Sequence, residues 1–162
     1  MLTGEAAMVT VAEVEKAQQA WGEGIVAISA AHGSGEDYVG RATTHVESLY
    51  AYGMSPVLFK PTMAAVQQFR PTFDEALSYF TASNGACPED TGFAIQGWTK
   101  VRFENQNMIL NESSAIAMGN YFFTSPEGNE VKVEFTFGYL LDSTGALRIH
   151  LHHSSLPASS NS

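Results

Sequence analysis

From Thr10 onward apolar side chains recur at Val14, Ala17, Trp21, Ile25 and Ile28, the rhythm of a helix with one buried stripe. Thr10-Val11-Ala12-Glu13 precedes them and matches a capping box, in which the threonine hydroxyl and the glutamate each satisfy a free backbone N–H. His32-Gly33-Ser34-Gly35 should stop this helix. A second helix is predicted from about Glu36 to Tyr52, with Tyr38, Ala42, His45, Val46 and Leu49 facing inward and Gly53 and Pro56 beyond its end. A short extended piece, Val57-Leu58-Phe59-Lys60-Pro61, follows. Thr72-Phe73-Asp74-Glu75 repeats the capping pattern and opens a short helix through Phe80, and Ser83 to Gly92 collects Asn, Gly, Pro and Asp as a loop.

The second half changes period. Val131, Val133, Phe135, Phe137 and Tyr139 alternate with Lys132, Glu134, Thr136 and Gly138, the period-two pattern of a strand. Trp98 to Phe103, Ala115 to Thr124 and Leu147 to Ser154 read as further strands, with turns at Pro126-Glu127-Gly128-Asn129 and Asp142-Ser143-Thr144-Gly145. Helices first and strands afterwards predict an α+β fold, N-terminal helices packed in a strongly curved antiparallel sheet with a pocket between the layers. Residues 1–162 form one domain on this reading, with flexible ends at about 1–9 and 158–162. If Phe135, Phe137 and Tyr139 lie on an uncovered sheet face, that face needs a partner, and a homodimer is expected.

Charge narrows the partners. Seventeen acidic against eight basic residues give a net charge of -9, which repels phosphate backbones and anionic lipid, so neither nucleic acid nor a membrane surface is expected as a partner. With no apolar run long enough to span a bilayer and no leader-like start, a cytoplasmic location is the default. A lone cysteine, Cys87, excludes an internal disulfide and a multi-cysteine zinc site.

The candidate chemistry is concentrated at the end of the chain. Arg148-Ile149-His150-Leu151-His152-His153-Ser154-Ser155-Leu156-Pro157 holds three of the five histidines and then two serines. In a regular strand His150, His152 and Ser154 share one face, and Leu151, His153 and Ser155 the other. Either face pairs an imidazole with a hydroxyl. A metal reading (zinc or manganese) is weak, because one strand face offers two imidazoles and a third ligand would have to come from His45, Glu134 or another distant residue. No Gly-x-Ser-x-Gly elbow and no glycine-rich phosphate loop is present.

The element order resembles the nuclear transport factor 2-like fold, a cone of curved sheet closed by helices. The ending is similar to the association domain of calcium/calmodulin-dependent kinase II, whose last strand also carries alternating histidines. Leu58-Phe59-Lys60-Pro61-Thr62, Phe69-Arg70-Pro71-Thr72 with Ala76-Leu77-Ser78-Tyr79-Phe80, and His152-His153-Ser154-Ser155-Leu156-Pro157 together resemble the iota class of carbonic anhydrases. That resemblance implies reversible hydration of CO2 to bicarbonate in a small polar pocket, with no metal cofactor. By motif position it implies that Thr62, Tyr79 and Ser154 surround the pocket. A proton must then leave, and a histidine, His152 or His153, is the group best matched to carry it outward. A register slip of one residue would put Ser155 and His153 there instead. Two other readings remain open for such a fold: a non-catalytic association or ligand-binding domain, and an isomerase or dehydratase using His45, His150 or Glu134 as general base.

Overall fold

The structure is a computed structural model and describes residues 7–159. Helix α1 spans Val11–Gly33, α2 Tyr38–Leu49 and α3 Phe73–Thr81; strands β1 to β5 are Leu58–Lys60, Lys100–Leu110, Ser114–Thr124, Glu130–Leu141 and Leu147–Ser155, with a single 3-10 turn at Phe93–Ile95. Both predicted caps form. Thr10 accepts the Glu13 N–H at 3.1 Å while the Glu13 carboxylate accepts the Thr10 N–H at 3.1 Å, and Thr72 caps α3 through the Glu75 N–H. Helix α2 is shorter than expected at both ends. Asp37 caps it by accepting the Gly40 N–H, and Tyr50 already turns extended and bridges to Ile149. The loose ends expected at 1–6 and 160–162 lie outside the described residues. Val9, near the front of the described residues, is buried and donates its N–H to the Asn111 carbonyl at 2.9 Å.

The five strands form one sheet in the order β1-β5-β4-β3-β2. Four of them make the antiparallel meander, but β1 joins β5 in parallel, Phe59 opposite His152 and Lys60 opposite His153. The sheet is therefore mixed. This pairing covers both edges of β5 and carries the segment after Lys60 to the end of that strand.

Helix α1 packs Val14, Trp21, Ile25 and Ile28 against Tyr121, Phe123, Val133, Phe135 and Phe137 of the sheet. Phe135, Phe137 and Tyr139 are 2%, 0% and 1% exposed. They line the inside of the cone, where α1 covers them, and the polar alternates Lys132, Glu134 and Thr136 face away. The argument for a homodimer from an uncovered aromatic face is thereby overturned.

Strand β5 is not regular. Gly138 pairs with Leu151 and Tyr139 with Ile149, which leaves His150 as the extra residue of a β-bulge. Ile149 consequently joins His152 and Ser154 on the buried face, and His150 does not. Gly138 permits the close approach, since a Cβ there would lie 2.8 Å from the Leu151 Cβ. Among the described residues no helix is long and apolar enough to cross a membrane.

Candidate active site

The parallel pairing of β1 with β5 brings Thr62 beside the terminal serines. Pro61 ends β1, and Lys60 donates its ammonium protons to the carbonyls of Ser154 (3.1 Å) and Thr62 (3.3 Å). The Thr62 and Ser154 hydroxyls then meet at 2.5 Å. Ser154 is 1% exposed and His152 2%, whereas His153 is exposed and Ser155 points toward Glu134 at 3.5 Å on the outer face. In this register Ser154 and His152 face inward, and Ser155 and His153 face out.

Tyr79 reaches the same place from α3, which buries five of its neighbours in the core. Its phenol oxygen accepts the Met63 N–H at 3.3 Å. Burial pushes the phenol up to about 12, with the Met63 amide and the Thr62 hydroxyl opposing the shift, so at neutral pH it is a proton donor.

Behind this pair lies a hydrogen-bonded series that was not anticipated. Tyr121 of β3 places its hydroxyl 2.5 Å from Ser154 Oγ and 3.1 Å from His152 Nε2. Tyr50 sits 2.8 Å from His152 Nδ1, and Trp21 donates its indole N–H to Tyr50 at 3.0 Å. The His152 ring stacks on Phe59 at 4.6 Å and packs against Phe137 at 4.2 Å. In sequence Trp21 reads as part of a helix stripe and Tyr121 falls inside a predicted strand; their polar atoms carried no local signal.

A cavity of about 360 Å³ opens against Thr62 and Tyr79. Its remaining wall is mostly apolar, with Phe93, Trp98, Phe123 and Val133. Ser154, Tyr121 and His152 do not line it; they stand behind Thr62. Glu89 and Asp90 also line it, but neither carboxylate is idle. Glu89 accepts the N–H groups of Ala65, Val66 and Gln67, and Asp90 is held by the Arg70 guanidinium and Ser78. Glu134 is on the outer face of the sheet, and neither His45 nor His150 lines the cavity. Among the residues that line this cavity no carboxylate or imidazole is thus left as a free general base, which counts against the isomerase or dehydratase reading there.

The histidines do not converge. His152 uses both ring nitrogens on tyrosines, His153 faces out, and His150 stands in the bulge. Among the described residues no three His, Cys, Asp or Glu side chains form a group that could hold a metal ion. His45 is buried in α2 between Trp21 (6.0 Å) and Phe80 (5.8 Å), where Gly24 makes room for its ring. Its Nε2 has no hydrogen-bond partner among the described residues.

Burial lowers both inner imidazoles, His45 from 6.5 to about 4, and His152 well below its usual value, with His153 and His45 adding to the effect. Unfolded imidazoles bind protons near pH 6.5 and these do not, so stability falls as the pH drops from about 6.5 toward 4. His45 alone accounts for about 3 kcal/mol once the pH is below its folded value of about 4. The urea midpoint is expected to be clearly lower at about pH 4.5 than at pH 8, and His45→Leu should flatten the difference. Equal midpoints would contradict the buried neutral imidazoles.

Residues 12–156 match the family model of metal-independent carbonic anhydrases. A metal-independent carbonic anhydrase from Nostoc sp. (strain PCC 7120 / SAG 25.82 / UTEX 2576) is 41% identical over 156 residues, covering 92% of this chain and 74% of the relative. The crystal structure of an iota-carbonic anhydrase from a cyanobacterium, complexed with bicarbonate, superposes with a TM-score of 0.91 at 38% identity, over 98% of this chain and 100% of that one. A putative calcium/calmodulin-dependent protein kinase II association domain from Xanthomonas campestris shares the fold, with a TM-score of 0.64 at 19% identity over 98% and 99% of the two chains. The fold is also shared by a nuclear transport factor 2-like protein of unknown function from Pseudomonas putida KT2440, with a TM-score of 0.56 at 14% identity over 96% and 93% of the two chains. Matched along nearly its whole length by sequence and by structure, this chain belongs to the metal-independent carbonic anhydrase family.

Proposed function

We propose that CO2 is hydrated to bicarbonate, reversibly, in the cavity bounded by Thr62 and Tyr79, by neutral hydroxyl donors and without a metal ion. The observation that carries this reading is the Thr62 hydroxyl, fixed 2.5 Å from a buried serine and facing, with Tyr79, a mostly apolar cavity. The apolar wall suits CO2, which is uncharged, and the donors suit bicarbonate, whose oxygens accept. The 38% identical relative complexed with bicarbonate supports the same assignment.

The reaction forms one C–O bond between a water-derived oxygen and CO2 carbon, moves one C=O π pair onto oxygen, and releases one proton. Ionising free water at pH 7 costs roughly 12 kcal/mol. A fixed donor contributes a few kcal/mol to developing negative charge in a dry site, so Thr62 and Tyr79 cover part of this. Proximity of water and CO2 supplies more. Hydroxide drawn from solution relieves the remainder, and the rate is accordingly expected to rise toward alkaline pH. Ser154 acts through Thr62. Zinc or manganese has no place in this scheme: both nitrogens of His152 are already engaged.

Stopped-flow measurement of CO2 hydration between about pH 7 and 9 tests the reading. Purified protein should exceed the buffer blank and gain rate with pH. A rate equal to the blank would leave a non-catalytic association or ligand-binding domain.

A further inference from the structure

We propose that His152 is a positioning residue whose Nε2–H tautomer, imposed by Trp21 through Tyr50, gives the hydroxyl series Tyr121–Ser154–Thr62 a single polarity that ends in a proton presented to the cavity. The inference rests on the cavity beside Thr62 being the place of reaction, and it deepens that reading.

The argument is a count of donors and acceptors. Indole N–H donates and cannot accept, so the Tyr50 oxygen is the acceptor in the 3.0 Å contact with Trp21. Tyr50 is 1% exposed and must place its own proton on a neighbour. The acceptor within reach is His152 Nδ1, 2.8 Å away. Nδ1 therefore carries no proton, and a neutral ring holds its proton on Nε2. That proton goes to the Tyr121 oxygen at 3.1 Å. Tyr121 in turn donates to Ser154 at 2.5 Å, and Ser154 to Thr62 at 2.5 Å. The Thr62 proton is left for an oxygen in the cavity, or for Tyr79, whose own proton then faces the cavity. The reversed order would point both Trp21 and His152 at the Tyr50 oxygen and strand a buried phenol proton, a costly arrangement.

The imidazole stays neutral because it is 2% exposed, flanked by the Phe59 and Phe137 rings. The titratable groups around it are Tyr50 and Tyr121 in contact, with His45 and His153 disfavouring its charged form from farther off. A second consequence follows. The series ends at Trp21, which has no acceptor lone pair, so a proton entering at Thr62 has no exit there. On this polarity His152 does not relay protons to solvent, unlike the role expected of it from histidine chemistry alone; the reaction's proton leaves by the mouth of the cavity.

Nitrogen-15 NMR of histidine-labelled wild-type protein tests the tautomer directly. The expected result is a protonated Nε2 and a bare Nδ1 on His152, unchanged from about pH 6 to 9. A protonated Nδ1, or a ring that charges in that range, overturns the proposal. Tyr50→Phe supplies the functional arm, since residue 50 lies outside the cavity lining. It should mix the two tautomers and lower kcat about tenfold. A folded Tyr50→Phe protein with wild-type kcat and unchanged tautomer also overturns the proposal. If wild-type protein shows the Nε2–H signature yet no CO2 hydration, the polarity stands and the functional reading falls.

Discussion

Thr62→Val is expected to lower kcat/KM for CO2 hydration on the order of 10²- to 10³-fold, the usual cost of removing one oriented donor. Valine keeps the shape and removes the hydroxyl. Thr62 is half-buried with its hydroxyl at the cavity, so the loss should fall on kcat with little change in stability. Tyr79→Phe should behave alike, since the ring keeps its stack on Phe93 at 5.6 Å. Ser154→Ala acts one bond further back: it leaves Thr62 and Tyr121 without their shared partner and should cost less than either. Ser155→Ala is the internal control and should leave the rate near wild type, because Ser155 faces outward. Thr62→Val combined with Tyr79→Phe should lose less than the product of the single effects if both hydroxyls serve one oxygen. Wild-type rates in both Thr62→Val and Tyr79→Phe would remove the cavity from the chemistry.

The largest effect on stability is expected from Arg70→Met. Arg70 is 0% exposed and forms paired bonds of 2.7 and 2.8 Å with Asp90, while two more of its protons go to the carbonyls of Gln67 and Glu75, both at 2.9 Å. Removing the guanidinium strands the Asp90 carboxylate, and breaking a buried pair in this way costs about 3–5 kcal/mol. For a domain of this size that lowers Tm by about 10 °C. The same guanidinium anchors the segment that runs from Thr62 to Thr72. Its backbone N–H bonds back to Phe59 at 2.8 Å, its carbonyl accepts Tyr52 at 2.7 Å, and Glu89 holds the amides of residues 65 to 67. Activity should therefore fall together with stability. Arg70→Met with Asp90→Leu should recover part of the lost Tm, because no charge is then left buried. A Tm shift under about 3 °C for Arg70→Met would contradict the ion pair's role.

What could be read from the sequence was whatever has a local physical cause. Capping boxes announce themselves in four residues, and the 131–139 alternation needs no partner to be seen. Motif resemblance singled out Thr62, Tyr79 and Ser154, residues that the fold brings into one neighbourhood. The register of β5 was not legible, because it depends on what lies on either side: Phe59 in parallel and Phe137 antiparallel. Parallel pairing joins residues some 90 positions apart and leaves no local trace. The bulge at His150 breaks the alternation that a regular strand would keep, and it separates a histidine that spacing had grouped with His152. Tyr50, Tyr121 and Trp21 were hidden for another reason. An aromatic residue on an apolar stripe looks like packing, and these three are packing; their polar atoms matter only because the fold lines them up. Arg70 lay in plain sight within Phe69-Arg70-Pro71-Thr72, but its buried partner Asp90 sits in a loop with no periodic signal.

Loss of oxygen-18 from labelled CO2, followed by mass spectrometry on protein stripped by exhaustive chelation and shown to be metal-free, tests the central claim most directly. The stripped wild-type protein should accelerate the exchange well above the uncatalysed rate, and the Thr62→Val, Tyr79→Phe double variant should not. Exchange that disappears with the metal and returns on adding zinc or manganese, or that persists in the double variant, would contradict a reaction carried by neutral hydroxyls.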